Sequence, residues 1–495
     1  MKRRLFICIL SAATLTGFSQ NAHKLFDGVK EAVVHNINAI KAGSQVKGYF
    51  TFYEYDKADK KNIIFKLTLL DENLNQIGTK EIQGSKKMEL LSSAFDGKYF
   101  CFKFWDDDAN TLQMKVYDQQ GEEVVSNVEN TKYAPTNKNN YFYQAVNPEL
   151  SVIENGGFIN YSFHGDDKGF FVNYADGNTK RTWSKAYEPA NKYKIMQPAF
   201  IGGNQSMVLT AVSIVGKGDN GAKGGNFLLA SDPKDGSVLF DISTDIQGNF
   251  IMPVNAVIED DKISIIGLSF PVYSSLTATP EGIGFVELDK KGKILKSVVK
   301  SFDETIGKFQ RLDNHKFSDG NFPFVHQIVR TSNGNTLLLI EKFKSAVMNG
   351  LTLGNFILIE LNKNYEFVQG KEFSKEIGKA PSVPFFGSYF SANIAKMNGA
   401  LDYLYMQKND DNTEITFSFY ETEEKAVKGV FRPKSFDQIK YKNGKITSDK
   451  APLRSDANDE ATATFFLPAK TGYFLEANYF KKKKELSMDF IKLNN

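Results

Sequence analysis

Two segments of the chain combine aromatic rings with hydrogen-bonding side chains. One lies within residues 127–147 and the other within residues 303–322. Exposed rings beside amide groups stack on sugars and anchor peptides, so the segments are predicted to bind a glycan or a protein ligand. The alternative is that the rings pack the segments onto the strands beneath them. The candidate ligand-binding residues are Tyr141, Phe142, Tyr143, Phe309, His315, Phe317 and Phe322.

The second segment also carries four carboxylates: Asp303, Glu304, Asp313 and Asp319. Glycoside hydrolysis uses two carboxyl groups about 5–10 Å apart, so a carbohydrate-active hydrolase or lyase is the alternative function. None of the five histidines is spaced as a zinc pair or belongs to a recognisable Ser-His-acid set. We therefore assign no catalytic residue and favour a non-enzymatic protein.

One acidic turn has the start of a calcium-binding pattern. Asp106, Asp108 and Asn110 place oxygen atoms at alternate positions, as a calcium loop does. Thr111 and Tyr117 stand where an EF-hand needs Gly and a bidentate Glu, which excludes that motif. A calcium site shared between loops and a solvated hairpin tip remain as interpretations, and no other cofactor is expected.

The strands that carry these segments follow a pattern that recurs about every 50–60 residues. Residues 88–95 lead through Asp96 and Gly97 into a second strand, and residues 112–117 lead through a polar turn into a fourth. Eight units can be placed, starting near Ala32, Met88, Pro148, Lys194, Pro253, Pro323, Ser388 and Glu460.

Four-stranded antiparallel units repeated around a ring predict an all-β fold, a β-propeller of about eight blades, with seven blades as the alternative. Residues 425–459 fit the pattern poorly, because Pro433 and Pro452 are not expected in central strands. The last unit offers three strands. Residues 23–29 are therefore predicted to supply its fourth strand and to close the ring, since an unpaired edge invites aggregation.

The two faces of such a ring are predicted to differ. Links between strands 1 and 2 and between strands 3 and 4 of each blade emerge on one face, where tight turns are expected; we call it the tight-turn face. Links between strands 2 and 3, and from blade to blade, emerge on the opposite face, which we call the loop face. Both aromatic segments belong to the loop face, and long loops on a rigid scaffold commonly carry binding residues.

The N-terminus has the order of a secretory signal peptide. Lys2, Arg3 and Arg4 precede an apolar run, and small or polar residues follow. We predict a signal peptide over residues 1–19 and a single propeller domain over residues 20–495. The apolar run is too short for a membrane span, and Cys8 is not placed for lipidation. The mature chain is expected to be periplasmic or extracellular, without a lipid anchor or a transmembrane segment.

The charge of the chain excludes one class of partner, and its cysteine content excludes an internal disulfide. Without the three basic residues of the leader, 58 basic and 58 acidic residues remain. A neutral chain lacks the clustered positive charge that nucleic acid requires, so nucleic acid is not an expected partner. Cleavage also leaves Cys101 as the one cysteine, so the fold must be stabilised without an internal disulfide.

In its leader and its turn-punctuated repeats, the chain resembles the secreted β-propeller-like proteins of unassigned function that are common in Bacteroidota. The resemblance implies export and a propeller fold, and it implies no particular chemistry. We therefore expect an exported binding or scaffold propeller that recognises a glycan or a protein on its loop face.

Overall fold

The computed structural model describes the greater part of the chain. The described residues are 23–30, 32, 36–42, 45–130, 150–153, 156–163, 169–187, 195–217, 223–246, 248–270, 279–346, 350–380, 388–397, 400–409, 411–422, 433–453, 461–470 and 472–493.

The described residues form eight antiparallel blades. Blades 1 to 4 consist of β2 (Ile37–Ala42), β3 (Gln45–Lys57), β4 (Asn62–Asp71), β5 (Gln76–Ser85); β6 (Met88–Phe95), β7 (Phe100–Asp106), β8 (Thr111–Tyr117), β9 (Glu123–Asn130); β10 (Ser151–Ile153), β11 (Gly157–Phe163), β12 (Phe170–Asp176), β13 (Arg181–Tyr187); and β14 (Ile195–Asn204), β15 (Met207–Lys217), β16 (Lys223–Ser231), β17 (Val238–Ser243). Blade 5 consists of β18 (Asp245–Ile246), β19 (Asn249–Ile258), β20 (Lys262–Phe270), β21 (Gly282–Asp289) and β22 (Ile294–Ser301).

A two-stranded ribbon of β23 (Leu312–Asp313) and β24 (Lys316–Phe317) stands between blades 5 and 6. Blades 6 to 8 consist of β25 (Phe322–Arg330), β26 (Thr336–Ala346), β27 (Gly350–Leu361), β28 (Phe367–Phe373), with β29 (Gly378–Ala380) paired to β27; β30 (Tyr403–Lys408), β31 (Glu414–Thr422), β32 (Pro433–Lys442), β33 (Lys445–Pro452); and β34 (Ala463–Pro468), β35 (Tyr473–Phe480), β36 (Glu485–Lys492), β1 (His23–Asp27). The predicted β-propeller is confirmed with eight blades rather than seven.

The core is divided among the interfaces between blades. Each pair of neighbouring blades shares its own apolar cluster, and eight such clusters are found in the described part of the chain. Between blades 1 and 2, the rings of Phe50 and Phe102 pack edge to face with centroids 5.2 Å apart. Between blades 8 and 1, Tyr49 lies 6.0 Å from Phe490. Because the eighth cluster leads back to the first blade, the ring closes.

Closure depends on the N-terminal strand. β1 pairs antiparallel with β36, from His23 opposite Asp489 to Asp27 opposite Glu485. The N–H of Val29 extends the contact by donating to the carbonyl of Lys484 at 2.9 Å. Phe26 and Val29 are buried in the cluster between blades 8 and 1. The predicted pairing of residues 23–29 with the last unit is therefore confirmed.

The turns between the third and fourth strands share a hydrogen-bond pattern. In four of them the first side chain accepts the backbone N–H groups two and four positions further on: Asp71, Asp118, Asp289 and Asn362. The residue three positions further on is left-handed, with φ between 64° and 84°: Leu74, Gly121, Gly292 and Tyr365. Glycine adopts this conformation without strain, and Gly292 also makes room for the Phe240 ring of blade 4.

The approach to blade 7 differs from the sequence-based prediction. Instead of a unit starting near Ser388, the chain forms helix α1 (Ser388–Met397), and the inner strand of blade 7 is β30. Tyr389 of α1 packs into the cluster between blades 5 and 6. The expectation for Pro433 is also wrong, because the central strand β32 begins at this residue, whereas Pro452 ends β33, the edge strand of the blade. The first position of a strand tolerates proline.

Candidate functional site

Residues 302–321 cross the loop face from blade 5 to blade 6, and we call them the bridging segment. They contain a short 3-10 helix (Ile306–Lys308) and the β23–β24 ribbon. Phe302, Ile306 and Leu312 are buried in the cluster between the two blades. These apolar side chains fix the segment to the ring, so its polar residues are presented from a supported loop.

His315 lies at the tip of the ribbon in an unusual backbone conformation. Asn314 and His315 have φ values of 50° and 62°, the pattern of a hairpin turn that prefers Asn-Gly. The His315 Nε2 lies 3.2 Å from Oε1 of Glu281 in blade 5, and 31% of the side chain is exposed. Its Nδ1 is buried without a hydrogen-bond partner among the described residues.

The three phenylalanines of this region differ in their surroundings. Phe317 is 3% exposed, and the Nζ of Lys342 lies 4.7 Å from its ring centre. Phe309 is partly buried, and its ring faces Gly370 in β28. Phe322 is partly buried, with the Lys316 Nζ 4.8 Å above its ring. Phe317 is therefore a buried support of the segment, while Phe309, His315 and Phe322 keep part of their surface accessible to solvent.

The other predicted aromatic group cannot be compared with this one. Tyr141, Phe142 and Tyr143 lie outside the described residues. Of the seven candidate ligand-binding residues, the structure brings four together in one region between blades 5 and 6: Phe309, His315, Phe317 and Phe322.

Two of the four carboxylates are engaged locally. Glu304 accepts hydrogen bonds from the backbone N–H and the hydroxyl of Ser301, at 2.9 and 3.0 Å. The backbone bond contributes most to lowering its pKa. Partial burial acts to raise the pKa of Asp319, but the Asn321 backbone N–H and the Lys342 ammonium outweigh it and lower that pKa. Asp303 and Asp313 are exposed.

The acidic turn in blade 2 uses its oxygens for internal bonds. Asp106 Oδ1 accepts the hydroxyl of Ser85 at 2.8 Å and the backbone N–H groups of Asp108 and Ala109 at 3.1 Å. Asp108 lies 3.4 Å from the Lys87 ammonium, and Asn110 is left-handed. No group of three or more His, Cys, Asp or Glu side chains suited to a metal occurs among the described residues.

A buried ionic cluster between blades 6 and 7 was not predicted. His326 Nε2 lies 2.7 Å from Glu341 Oε2, and Lys375 Nζ lies 3.1 Å from Glu341 Oε1. Lys375 also pairs with Asp402, and Lys396 of α1 donates to the His326 carbonyl at 2.6 Å. The sequence signal was a glutamate inside an apolar strand, since Glu341 follows four consecutive aliphatic residues.

Burial shifts the pKa values of this cluster. It raises the pKa of Glu341 to about 7 against the opposing effect of Lys375. Likewise it raises the pKa of Asp402 to about 6 and lowers that of Lys396 to about 8. The pKa of His326 is well below its ordinary value, through burial and then through the nearby Lys396 and Lys375. Desolvation of charged forms explains each direction.

A family model matches residues 1–494, almost the entire chain, under the description "Family of unknown function (DUF6770)". The chain belongs to this family. No match was found among curated proteins. Membership of DUF6770 therefore leaves the activity of the protein to be argued from its own site.

Solved structures similar to this DUF6770 protein include several propellers. Sqt1 from Chaetomium thermophilum has a TM-score of 0.42 and 11% identity, with 96% of this chain and 100% of that chain covered. The WD40 domain of SCAP from fission yeast has a TM-score of 0.37 and 9% identity, covering 96% and 99%. The β-propeller domain of the Trilobed protease from Pyrococcus furiosus has a TM-score of 0.38 and 9% identity, covering 86% and 97%. Because these similarities are low, the assignment of eight blades is based on the strand pairing observed in this chain.

Among the described residues of this DUF6770 protein, no helix is long and apolar enough to cross a membrane. α1, with ten residues, is about half the length that a membrane-spanning helix needs.

Proposed function

We propose that the protein is an exported, non-enzymatic binding propeller that recognises a glycan or a protein through its loop face, with the bridging segment as part of the contact surface. The observation that carries this proposal is the left-handed His315 at the ribbon tip, beside Glu281. A left-handed non-glycine residue costs about 1 kcal/mol relative to a relaxed backbone. Strained residues that the surrounding structure enforces occur preferentially at functional sites.

The surroundings of His315 suit polar recognition. The exposed Asp313 and Asn314 share its turn, and the partly exposed Phe322 ring lies at the base of the same segment. An imidazole, a carboxylate and an amide beside a ring provide hydrogen bonds and a stacking surface for a sugar or for a peptide side chain. Tyr141, Phe142 and Tyr143 are proposed to extend this surface.

Two of the four candidate carboxylates fit the role of a general acid poorly, which supports binding rather than hydrolysis. A glycoside hydrolase needs one carboxylic acid that stays protonated near neutral pH, which requires a raised pKa. Glu304 and Asp319 have lowered pKa values because of their hydrogen bonds and the lysines beside them. Neither is suited to the role of general acid.

Two glycine variants separate binding from stability. His315→Gly removes the imidazole and relieves the left-handed strain, whereas the matched control Asn443→Gly relieves similar strain in the β32–β33 turn and leaves the ribbon tip intact. We expect His315→Gly to weaken binding to the best uncharged ligand of a glycan array at least tenfold, while both variants keep the wild-type melting temperature within about 2 °C. Protein purified from the exported fraction should begin at Gln20 or Asn21 by intact mass.

Three results would contradict the proposal. Equal affinity of the wild type and the His315→Gly variant would remove the bridging segment from the contact surface. New reducing ends or unsaturated products after incubation with the bound glycan would establish a hydrolase or a lyase. Retention of residues 1–19, or an acylated species, would contradict export without a lipid anchor.

A further inference from the structure

A second candidate site lies on the opposite side of the ring. The tight-turn face has a cleft of about 1090 Å³ that spans blades 2, 3 and 4. Its described lining residues lie in the β6–β7, β12–β13, β14–β15 and β16–β17 turns, together with Gly156 before β11. Residues of three blades therefore border one open depression, far in the chain from the bridging segment.

The two carboxylates that line the cleft are already engaged by their own turns. Asp96 Oδ1 accepts the backbone N–H groups of Lys98 and Tyr99 at 2.9 and 2.7 Å. Asp176 accepts the backbone N–H of Asn178 at 2.8 Å and the hydroxyl of Thr179 at 2.7 Å. Their negative charge is thus partly compensated by fixed donors.

Among the described residues that line the cleft, two of the three cations have no side-chain partner. Lys98 Nζ donates to Asn178 Oδ1 at 2.9 Å and so links blades 2 and 3. Arg181 and Lys234 are exposed, and neither side chain forms an ion pair or a hydrogen bond within the described part of the chain. The leaderless chain contains only five arginines, and one of them stands in this cleft.

We propose that the cleft binds a carboxylate-bearing saccharide, with Arg181 and Lys234 as the residues that contact its acid groups. The guanidinium fork matches a carboxylate with two parallel hydrogen bonds. The amide and hydroxyl side chains of the surrounding turns suit sugar hydroxyl groups.

A peptide is the less favoured occupant. Among the described residues that line the cleft, the one aromatic side chain is Tyr174, which is buried and donates its hydroxyl to the Gly156 carbonyl at 2.6 Å. The described lining therefore offers no exposed ring to anchor the side chains on which protein interfaces depend.

The test measures binding of uronate tetrasaccharides, tetragalacturonate first, by isothermal titration calorimetry on the leaderless protein. We expect Arg181→Gln to weaken binding about tenfold, and Arg181→Lys to weaken it less because the charge remains. Lys234→Gln should also weaken binding, with Lys445→Gln as its matched control, since Lys445 is exposed on the same face in blade 7. Affinity for the uronates should fall as salt rises.

Maltotetraose and a hexa-aspartate peptide test the ligand class. The proposal is overturned if no uronate binds, if maltotetraose binds equally well, if the peptide binds more tightly, or if Arg181→Gln leaves the affinity unchanged. The His315→Gly variant should bind uronates like the wild type, so failure of this site and failure of the loop-face proposal give different results.

Discussion

His326 and Glu341 are fully buried side by side, and their pKa shifts affect stability in opposite directions. The His326 pKa lies well below 6.5 in the folded state, so acidification below pH 6.5 protonates the unfolded chain first and destabilises the fold. The Glu341 pKa is raised from 4.5 to about 7, so acidification from pH 7 to 4.5 protonates the folded chain first and stabilises it. The two effects oppose each other in the wild type.

Single variants should reveal these two contributions. We expect the free energy of unfolding of Glu341→Gln to fall more steeply than that of the wild type between pH 7 and pH 5. His326→Gln should change in the opposite direction, and a fully uncompensated proton contributes at most about 1.4 kcal/mol per pH unit. Urea unfolding at pH 7, 6 and 5 measures both slopes.

The exposed pair of His23 and Asp489 supplies the control for that experiment. Asp489→Asn removes one partner of a solvent-accessible ion pair and gives the slope with which the two buried variants are compared. If Glu341→Gln and His326→Gln both show the wild-type slope, the buried pair does not titrate in the way described.

For individual residues, the sequence predicted which side chains a segment contains better than it predicted which way they face. It identified the aromatic residues in and directly after the bridging segment, but it did not distinguish the buried Phe317 from the partly exposed Phe322. Which ring faces the blades is decided by the path of the segment across the loop face. The left-handed conformation of His315 had no sequence signal, since this turn position prefers glycine.

The repeated turn between the third and fourth strands of a blade packs against the neighbouring blade. At the left-handed position, a glycine receives a side chain of the neighbouring blade, whereas a large residue reaches toward that blade. Phe240 of blade 4 lies against Gly292, while Tyr365 of blade 6 stacks on Phe285 of blade 5. Local turn geometry and packing between blades are thus specified by the same residue.

Gly292→Ala tests this double role against Gly444→Ala. Both glycines have φ near 83° and should suffer similar backbone strain, but a Cβ at Gly292 would lie 2.7 Å from Phe240, whereas Gly444 has nothing within 4 Å. We expect Gly292→Ala to lower the free energy of unfolding by at least about 1 kcal/mol more than Gly444→Ala does. Equal losses in chemical denaturation would show that only backbone strain matters.

The strands were predictable where the same two kinds of turn recurred at the same positions of each repeat. They were less predictable at blade 7, because helix α1 precedes its inner strand. α1 contributes few large apolar residues, with Tyr389, Ala392 and Ala395 as its buried face, so ten residues gave no sustained helical period. β32 was not predicted because the sequence alone does not distinguish a proline at the first position of a strand from a proline inside one.

At the scale of the whole molecule, stability is distributed over eight interfaces rather than one core. Closure of the ring by a strand from elsewhere in the chain was predictable, because the last unit contains three strands where the other predicted units contain four. Its pairing partner was predictable because residues 23–29 had no other blade to join. β1 begins beyond the predicted cleavage point, so removal of residues 1–19 leaves the closing strand in place. Both proposed binding surfaces span neighbouring blades and therefore depend on this closed ring.

Truncation of the closing strand is the most direct test of the closed eight-bladed ring. Compared with the chain from residue 20, deletion of residues 21–30 should lower the melting temperature by about 5–10 °C, because the burial of Phe26 and Val29 and a row of strand hydrogen bonds are lost. It should also expose β36 and promote aggregation. Phe26→Ala should reproduce part of the loss, whereas Leu25→Ala should not, since Phe26 is 6% and Leu25 46% exposed. An unchanged melting temperature, with amide exchange in residues 485–492 as slow as in the intact chain, would contradict closure by β1.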